Sequence, residues 1–341
     1  MNGLERMLLA LQLSEPDRVP IWELIINEPV IRAIAGNVSR LDFFEMEDLD
    51  GVTVHEDISV VKWLDKQTYV DEWGIRWGIE PSGLTYPVGG PINDLDDLDG
   101  YSAPDPESDT RLATLEEAVR RFKGERAIVF LCHEAFEFSH YLRGGLKNLL
   151  VDYYRRKSLA RRLAKIIIRY KMQVLKRAID LGADVALTGD DYCNRVGPLM
   201  SIDHFKEFVL PYLQKMVDTA HRRGVPFIKH TDGNIWPILD LLEKSGIDAI
   251  DPLEPIAGMD IAKVKEKYGD RLCLVGNIDC GELLSMGTPE EVRLTVRKTI
   301  LSAAPGGGYI LSSSNSIHPA VRPENYVAMV AAARRLGAYC R

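Results

Sequence analysis

The sequence contains a histidine and an aspartate two residues apart, His230 and Asp232, directly after a short apolar run. At the end of an extended strand, side chains at this spacing point to the same side, so an imidazole nitrogen and a carboxylate oxygen can reach one metal ion. The alternative is that His230 and Asp232 hydrogen-bond to each other or cap a helix that starts near Asn234. The pair alone does not decide between these interpretations.

Other acidic, imidazole and amide side chains also follow short apolar runs. If the fold gathers these side chains at one place, their carboxylates repel each other unless cations or substrate groups balance them. Such a cluster favours a metal or substrate site. Because Asp190 and Asp191 are adjacent, only one can face that site from an extended backbone. The alternative role for Asn277 and Asp279 is to hold the loop, and that for residues 312–316 is to line it through backbone bonds. The candidates are Asp191, Glu134, Asn277 and His318 for catalysis, Glu23, His55, His133, Asp279 and Asn315 for substrate binding, and His230, Asp232 and Glu254 for metal binding.

Eight short apolar runs alternate with amphipathic segments along the chain. This alternation predicts parallel strands joined by right-handed helical crossovers, and eight such units close into a (β/α)8 TIM barrel of the α/β class. An open doubly wound sheet is the alternative, but no Gly-x-Gly-x-x-Gly follows the first run. The barrel would gather the candidate residues at the carboxyl ends of its strands, where barrel active sites form. The runs are 19–22, 51–54, 127–131, 183–187, 225–228, 247–250, 271–275 and 308–311.

One stretch of the chain is longer than the connection that a minimal barrel needs between two strands. Residues 58–126 separate the second and third runs and contain Asp-Glu-Trp-Gly-Ile-Arg-Trp-Gly at 71–78, where polar and apolar residues alternate. We expect an inserted β-hairpin and loop region within a single domain spanning residues 1–341. Such an insertion either covers the barrel or forms a lid or rim over its catalytic face, and both interpretations stay open.

The composition is that of an ordinary soluble globular protein: 341 residues, 46% hydrophobic, 27% charged, with a formal net charge of −8. No apolar run approaches the ~20 residues of a membrane span, and no signal-peptide core is evident, so we expect a cytoplasmic protein without a membrane partner. The acidic balance disfavours nucleic acid. The five cysteines are scattered and lack Cys-x-x-Cys spacing, which argues against a disulfide framework or a structural zinc knuckle.

The charges are unevenly distributed. Residues 42–110 contain 18 acidic and 3 basic side chains, whereas residues 143–177 contain 12 basic and 1 acidic. Charge runs usually form solvated faces, so we expect two such faces that touch each other or a second copy. The alternative is that they dock a partner protein.

Several motifs resemble the uroporphyrinogen decarboxylase superfamily, and the similarity extends over nearly the whole chain. The resemblance implies a TIM barrel with one of two activities, the haem-pathway decarboxylase or a cobamide-dependent methyltransferase that acts with a separate corrinoid protein. The motifs are Arg-Val-Pro-Ile-Trp at 18–22, Asp-Glu-Trp-Gly at 71–74, Gly-Asp-Asp at 189–191, His-Thr-Asp-Gly-Asn at 230–234, Gly-Asn-Ile-Asp at 276–279 and Arg-Pro-Glu-Asn-Tyr-Val-Ala-Met at 322–329.

The segment after the first run distinguishes the two branches. The decarboxylase has an arginine-rich loop at this place that grips the propionates of its substrate. This chain has Glu23 and Glu28 here and no arginine until Arg32. Like charges brought together in a partly dry cleft are costly, so tetrapyrrole decarboxylation is the less favoured alternative.

The methyltransferase branch binds zinc through His-x-Cys-Gly after the fifth strand and a cysteine after the eighth. The matching positions here are Asp232 and a residue near Asn315, so both thiolates are replaced. This argues against methylation of a thiol, which uses a soft, sulfur-rich zinc site. An oxygen-rich site with one histidine still suits Zn or another divalent metal and is a stronger Lewis acid toward an ether or amine.

The resemblance therefore implies a corrinoid-dependent methyltransferase of the demethylase type. Such an enzyme moves a methyl group from a methoxylated or methylated small molecule to the cobalt of a corrinoid protein. The metal would be held by His230 and Asp232, with a third ligand from Glu134, Asp191 or Glu254. The alternative from another class is a non-catalytic barrel that binds a corrinoid or tetrapyrrole. Both monomers and homodimers agree with the resemblance.

Overall fold

A computed structural model describes residues 1–339, so Cys340 lies outside the described residues. The strands are β1 (Gly51–His55), β2 (Val60–Trp63), β3 (Thr68–Asp71), β4 (Arg76–Ile79), β5 (Thr85–Gly89), β6 (Ala127–Cys132), β7 (Val185–Thr188), β8 (Phe227–His230), β9 (Ala249–Asp251), β10 (Cys273–Ile278) and β11 (Tyr309–Ser313). The α-helices are α1 (Gly3–Leu11), α2 (Glu28–Ala35), α3 (Arg40–Met46), α4 (Leu95–Asp99), α5 (Ala113–Phe122), α6 (Phe136–Leu142), α7 (Leu146–Arg155), α8 (Lys157–Leu181), α9 (Ile202–Phe208), α10 (Leu210–His221), α11 (Leu239–Lys244), α12 (Ile261–Tyr268), α13 (Leu283–Met286), α14 (Pro289–Ala303) and α15 (Pro323–Leu336). A 3-10 helix spans Pro255–Ala257.

Seven strands form one parallel sheet in the order β1, β6, β7, β8, β9, β10, β11. The first apolar run lies between the two edge strands. The amide of Trp22 donates to the carbonyl of Leu311, and the amide of Asp50, just before β1, donates to the carbonyl of Ile21. Residues 19–22 thus occupy the eighth position of a closed barrel, and the (β/α)8 prediction is confirmed. The run pairs with β11 through an isolated bridge at Ile21 and Leu311, and Pro20 within it has no amide hydrogen to donate.

The barrel strands are buried on both faces, as their near-continuous apolar sequences require. Inward-facing side chains such as Val129, Val185 and Ile228 form a central cluster that also includes Met7 and Leu11 of α1. The α1 helix therefore packs onto the inner core. A larger cluster fills the space between the strands and the outer helices. These two apolar clusters fix the positions of the strand ends. They therefore also fix the positions of the polar side chains that follow the strands.

The expected insertion between β1 and β6 contains an antiparallel sheet of four strands, β2 to β5. Its central hairpin joins β3 to β4 through a turn at Trp73 and Gly74, where Asp71 Oδ1 accepts hydrogen bonds from the amides of Trp73 and Ile75, each at 2.9 Å. The α5 helix that follows packs against β1 and β6, so it belongs to the barrel's helix layer. The inserted sheet is therefore larger than a hairpin and ends before α5.

The acidic and basic stretches of the chain contact each other. Arg162 forms an ion pair with Asp99, and Arg156 Nη1 donates to the carbonyl of Asn93 at 3.1 Å. These contacts tie the long α8 helix to the segment after the small sheet. These contacts agree with the expectation that the acidic and basic faces touch each other within the chain. None of the helices between residues 1 and 339 is long and apolar enough to cross a membrane.

Candidate functional site

Three side chains converge at the carboxyl ends of β7 and β8. His230 is the last residue of β8, Asp232 lies two residues further on, and Asp191 lies in the segment after β7. His230 Nε2 lies 3.5 Å from Asp232 Oδ1 and 3.9 Å from Asp191 Oδ1. One ligand atom from each residue falls within 4.8 Å of the other two. We call Asp191, His230 and Asp232 the triad.

The other imidazole nitrogen of His230 is held by Asp251. His230 and Asp251 are register partners in the parallel pairing of β8 and β9, and Nδ1 donates to Oδ2 across 2.5 Å. Burial alone would lower the pKa of His230, but the hydrogen bond to Asp251 and the charges of Asp251, Asp232 and Asp191 together raise it to about 9. Nδ1 carries the proton that it donates to Asp251, while Nε2 faces the two carboxylates of the triad. Without a metal, Nε2 is also protonated at neutral pH, and a metal bound there would replace that proton.

Asp232 has one oxygen engaged and one free. Its Oδ2 accepts a hydrogen bond from Asn315 Nδ2 at 2.5 Å, whereas Oδ1 is buried and has no hydrogen-bond partner among the described residues. Burial and the nearby charge of Asp191 raise the pKa of Asp232 to about 8. A buried, unpaired carboxylate oxygen is costly unless a cation or proton satisfies it. This oxygen, beside an imidazole nitrogen and a second carboxylate, suits a divalent metal such as zinc.

The adjacent aspartates Asp190 and Asp191 take different roles. Asp190 is fully buried, and its carboxylate accepts hydrogen bonds from His133 Nδ1 at 2.9 Å and from the amides of Glu134 and Glu137, each at 3.0 Å. Burial would raise the pKa of Asp190, but His133 and its other partners hold it well below its usual range. Asp190 thus supports the loop after β6, while Asp191 lies in the triad. His133, which we expected to bind substrate, uses its Nδ1 for the hydrogen bond to Asp190.

Glu134 lies inside the barrel wall, apart from the triad. Its carboxylate accepts hydrogen bonds from Tyr192 at 2.6 Å and from Thr188, and it lies 3.0 Å from Lys229 Nζ. Burial, with the nearby Asp190, raises the pKa of Glu134 to about 8. Because three partners already satisfy both oxygens, the structure does not bring Glu134 to the triad as a ligand.

Glu23 is also buried away from the triad. It accepts hydrogen bonds from the amide of Ser313 at 3.0 Å, from Ser313 Oγ at 2.6 Å and from Ser312 Oγ at 3.2 Å. Burial raises its pKa to about 8. Glu23 therefore joins residues 19–22 to β11, and its serine partners occupy the carboxylate that we expected to bind substrate.

The remaining candidates hold loops near the strand ends. Asn277 Nδ2 donates to the carbonyl of Met259 at 3.0 Å, and Asp279 accepts from the backbone amides of residues 281–283. His318 Nε2 contacts the carbonyl of Cys280 at 3.2 Å. Glu254, expected as a metal ligand, accepts from the amide of Gly233 at 2.7 Å and lies outside the triad. The contacts of Asn277 and Asp279 match the loop-holding alternative for these two residues.

The last two candidates, His55 and Asn315, differ in their distance from the triad. His55 Nδ1 donates to the carbonyl of Glu56 at 2.9 Å, and the side chain of His55 is exposed. Asn315 contacts the triad through Asp232. The sequence reasoning missed Asp251 and Lys229. Lys229 stands inside the apolar run of β8, and a lysine there is a signal for a buried partner. Asp251 is the last residue of its strand, as His230 is of its own. A single sequence contains no pattern that predicts which residues of two neighbouring strands lie side by side.

Comparisons with known proteins agree with this architecture. The family model described as uroporphyrinogen decarboxylase (URO-D) matches residues 70–336. A protein named uroporphyrinogen decarboxylase from Alkalilimnicola ehrlichii is 25% identical over 363 residues and covers 97% of this chain and 94% of its own. One of the same name from Myxococcus xanthus is 26% identical over 358 residues and covers 99% and 98%. The chain belongs to the URO-D family, and the resemblance seen in the sequence is confirmed.

A solved structure shares the fold over its full length. The methyltransferase from Methanosarcina mazei superposes with a TM-score of 0.78 at 20% sequence identity, covering 98% of this chain and 99% of its own. At this identity the likeness concerns the fold alone. A complete TIM barrel of the URO-D type is therefore established. The triad lies at the carboxyl ends of two of its strands.

Proposed function

We propose that the protein is a metal-assisted, corrinoid-dependent methyltransferase. It would transfer a methyl group from a methoxylated or methylated small molecule to the corrinoid of a partner protein. The observation that carries the proposal is the triad at the barrel mouth, where the unpaired Asp232 Oδ1 faces an imidazole nitrogen. A divalent metal bound there would act as a Lewis acid on the oxygen or nitrogen that loses the methyl group.

The surrounding residues keep this site ordered. Asp251 fixes the ring of His230 so that Nε2 faces the triad, and Asn315 holds one oxygen of Asp232 so that the other faces the triad. Partners of this kind orient metal ligands and raise their basicity. Asp191 is the most exposed of the three, with 40% of its side chain accessible, so the site opens to a substrate on that side.

The choice between the two family activities rests on charge. Residues 19–31 contain no arginine, and Glu23 is buried against serines. A substrate with several propionates would therefore meet no guanidinium in this segment. The curated relatives named decarboxylase are 25% and 26% identical, so tetrapyrrole decarboxylation remains the alternative to test. The structural neighbour, named a methyltransferase, indicates that this fold is compatible with methyl transfer.

The experiment combines metal analysis with a transfer assay. Protein purified without chelator is analysed for metal, then mixed with candidate corrinoid proteins and a panel of methoxyaromatic compounds and methylamines. We expect bound metal and methylation of the corrinoid, both lost in Asp232→Ala. Asp248→Asn is the matched control, because Asp248 pairs with a histidine, His221, at the opposite end of the barrel.

Each other outcome contradicts the proposal in a different way. Absence of metal, together with unchanged stability of His230→Ala and Asp232→Ala, would exclude a metal-assisted reaction. Corrinoid binding without turnover across the panel would indicate a non-catalytic binding barrel. Release of carbon dioxide from uroporphyrinogen would identify a decarboxylase.

A further inference from the structure

A cavity of about 280 Å³ lies between the carboxyl end of β1 and the inserted sheet. Tyr69, Trp77, Ile58 and Val60 line it, together with His55. Because β1 is parallel to β7 and β8, its carboxyl end lies on the same side of the barrel as the triad. We propose that this cavity binds the ring of an aromatic methyl ether, which serves as methyl donor. This inference rests on the function proposed above.

The cavity walls present aromatic faces in a fixed orientation. Tyr69 and Trp77 are register partners on β3 and β4, so both rings project from the same face of the sheet. Trp77 Nε1 donates to Asp71 Oδ2 at 2.7 Å, and the ring of Trp63 packs against Tyr69 with centroids 5.3 Å apart. Aromatic walls held in this way favour a planar ring that can stack on them. The volume lies just below the range of typical ligand pockets, roughly 300–1,000 Å³, so it suits a single-ring compound.

The polar groups of the cavity select against a charged ring substituent. His55 Nδ1 donates to the carbonyl of Glu56, so in the neutral ring Nε2 is an acceptor that can take a hydroxyl hydrogen. Asp71 and Glu56 are already engaged, by Trp77 and by Tyr170 and Lys171. Within the described residues, no lysine or arginine lines the cavity. A phenol is therefore favoured over a ring carboxylate, which would lack a cation.

Side-chain contacts connect the cavity to the triad. The ring of Trp77 packs edge-on against Tyr141, with centroids 5.2 Å apart. The hydroxyl of Tyr141 donates to Glu137, whose other oxygen accepts from the amide of Asp191 at 3.4 Å. Tyr141 and Glu137 thus link the aromatic wall to Asp191, one residue of the triad. Under this proposal, a ring held in the cavity directs its methoxy group toward the triad.

The proposed transfer conserves atoms and electrons. The bond between the ether oxygen and the methyl carbon breaks, and the methyl group passes to the reduced corrinoid of the partner protein. The corrinoid supplies the electron pair of the new bond. The ring oxygen keeps the old pair and takes up a proton, so the product is a phenol.

The test measures ligand binding separately from methyl transfer. The probe is 2-methoxyphenol, titrated into the full chain by calorimetry and by tryptophan fluorescence, with trimethylamine as the comparison ligand. We expect 2-methoxyphenol to bind, and Tyr69→Ala and Trp77→Leu each to weaken it about tenfold. Tyr86→Ala is the matched control: Tyr86 pairs with Gly78, the neighbour of Trp77, so its ring lies on the opposite face of the sheet. Circular dichroism verifies that each variant is folded.

The outcomes separate this inference from the proposed function. If 2-methoxyphenol does not bind, or binds equally to folded Tyr69→Ala and Tyr86→Ala, the cavity assignment is wrong. If a corrinoid protein is methylated from trimethylamine and not from 2-methoxyphenol, methyl transfer stands and the aromatic donor is wrong. If 2-methoxyphenol binds in the cavity but no corrinoid protein accepts its methyl group, the assignment of the ring stands and the proposed function fails.

Discussion

The imidazole of His230 and the carboxylate of Asp251 face each other across two neighbouring parallel strands, with Nδ1 and Oδ2 2.5 Å apart. The register of β8 and β9 places the two residues side by side at the strand ends, so the contact follows from the barrel itself. A second histidine–aspartate pair lies at the opposite end of the barrel, where Nε2 of His221, the last residue of α10, lies 2.7 Å from Oδ2 of Asp248, just before β9. One pair lies beside two further carboxylates and the other does not.

The first prediction concerns this contact. Asp251→Ala removes the acceptor that orients His230, so we expect zinc affinity to fall by about 10- to 100-fold. Competition with a chromophoric chelator measures the affinity. Asp248→Asn changes the pair at the opposite barrel end and should leave zinc affinity unchanged. Equal affinities in Asp251→Ala and the unmodified protein would show that Asp251 does not act on the metal site.

The second prediction concerns stabilisation by metal. A ligand that binds only the folded state at 100 times its dissociation constant stabilises it by about 2.7 kcal/mol. We therefore expect zinc to raise the melting temperature of the unmodified protein, and to have little effect on Asp232→Ala or His230→Ala. Differential scanning calorimetry with and without zinc measures the shift. A shift of the same size in both variants would place the metal elsewhere.

The third prediction concerns pH. Burial raises the pKa of Glu23 from its ordinary value of 4.5 to about 8, so between these values the folded state binds a proton that the unfolded state has lost. The free energy of unfolding therefore falls as pH rises through this interval, by at most about 1.4 kcal/mol per pH unit from this group. We expect Glu23→Gln to reduce this decline, measured by urea unfolding from pH 5 to pH 8. Glu28→Gln, at an exposed position, should keep the unmodified slope.

Some parts of the site could be predicted from the sequence and others could not. The eight apolar runs predict the barrel because each strand is buried on both faces. His230 and Asp232 could be identified because alternation places residues two apart on one side. The roles of Asp279 and Asn277 could not, because both also follow apolar runs and only the paths of their loops turn them toward backbone groups. Strand register, which joins His230 to Asp251, has no signature within a single strand.

The inserted sheet shows the same limit. The alternation at 71–78 predicted one hairpin, which β3 and β4 form. The outer strands β2 and β5 are short, and β2 is exposed along its whole length, so it lacks the inside and outside pattern that marks a strand. Where this sheet meets the barrel, Lys171 Nζ lies 5.4 Å from the ring centroid of Trp73, in the turn of the hairpin. The sequence places Lys171 within a long basic stretch, and the structure buries it completely.

The fourth prediction concerns that attachment. Lys171 of α8 is fully buried, forms an ion pair with Glu56 after β1, and lies over the ring of Phe138, 3.6 Å from its centroid. Burial would raise the pKa of Glu56, but Lys171 lowers it, so Glu56 is ionised at neutral pH. Lys171→Met would leave this carboxylate buried and unpaired, and we expect a loss of about 3–5 kcal/mol in the free energy of unfolding.

The double variant Lys171→Met/Glu56→Gln tests the cause of that loss. It removes both charges and keeps an amide that Tyr170, whose hydroxyl lies 2.9 Å from Glu56 Oε2, can still contact. Because the penalty comes from an uncompensated charge, the double variant should recover most of the stability lost in Lys171→Met. Urea unfolding at pH 7 measures all three proteins. If the double variant is as unstable as Lys171→Met, the lysine stabilises the attachment through its packing against Phe138 rather than through its charge.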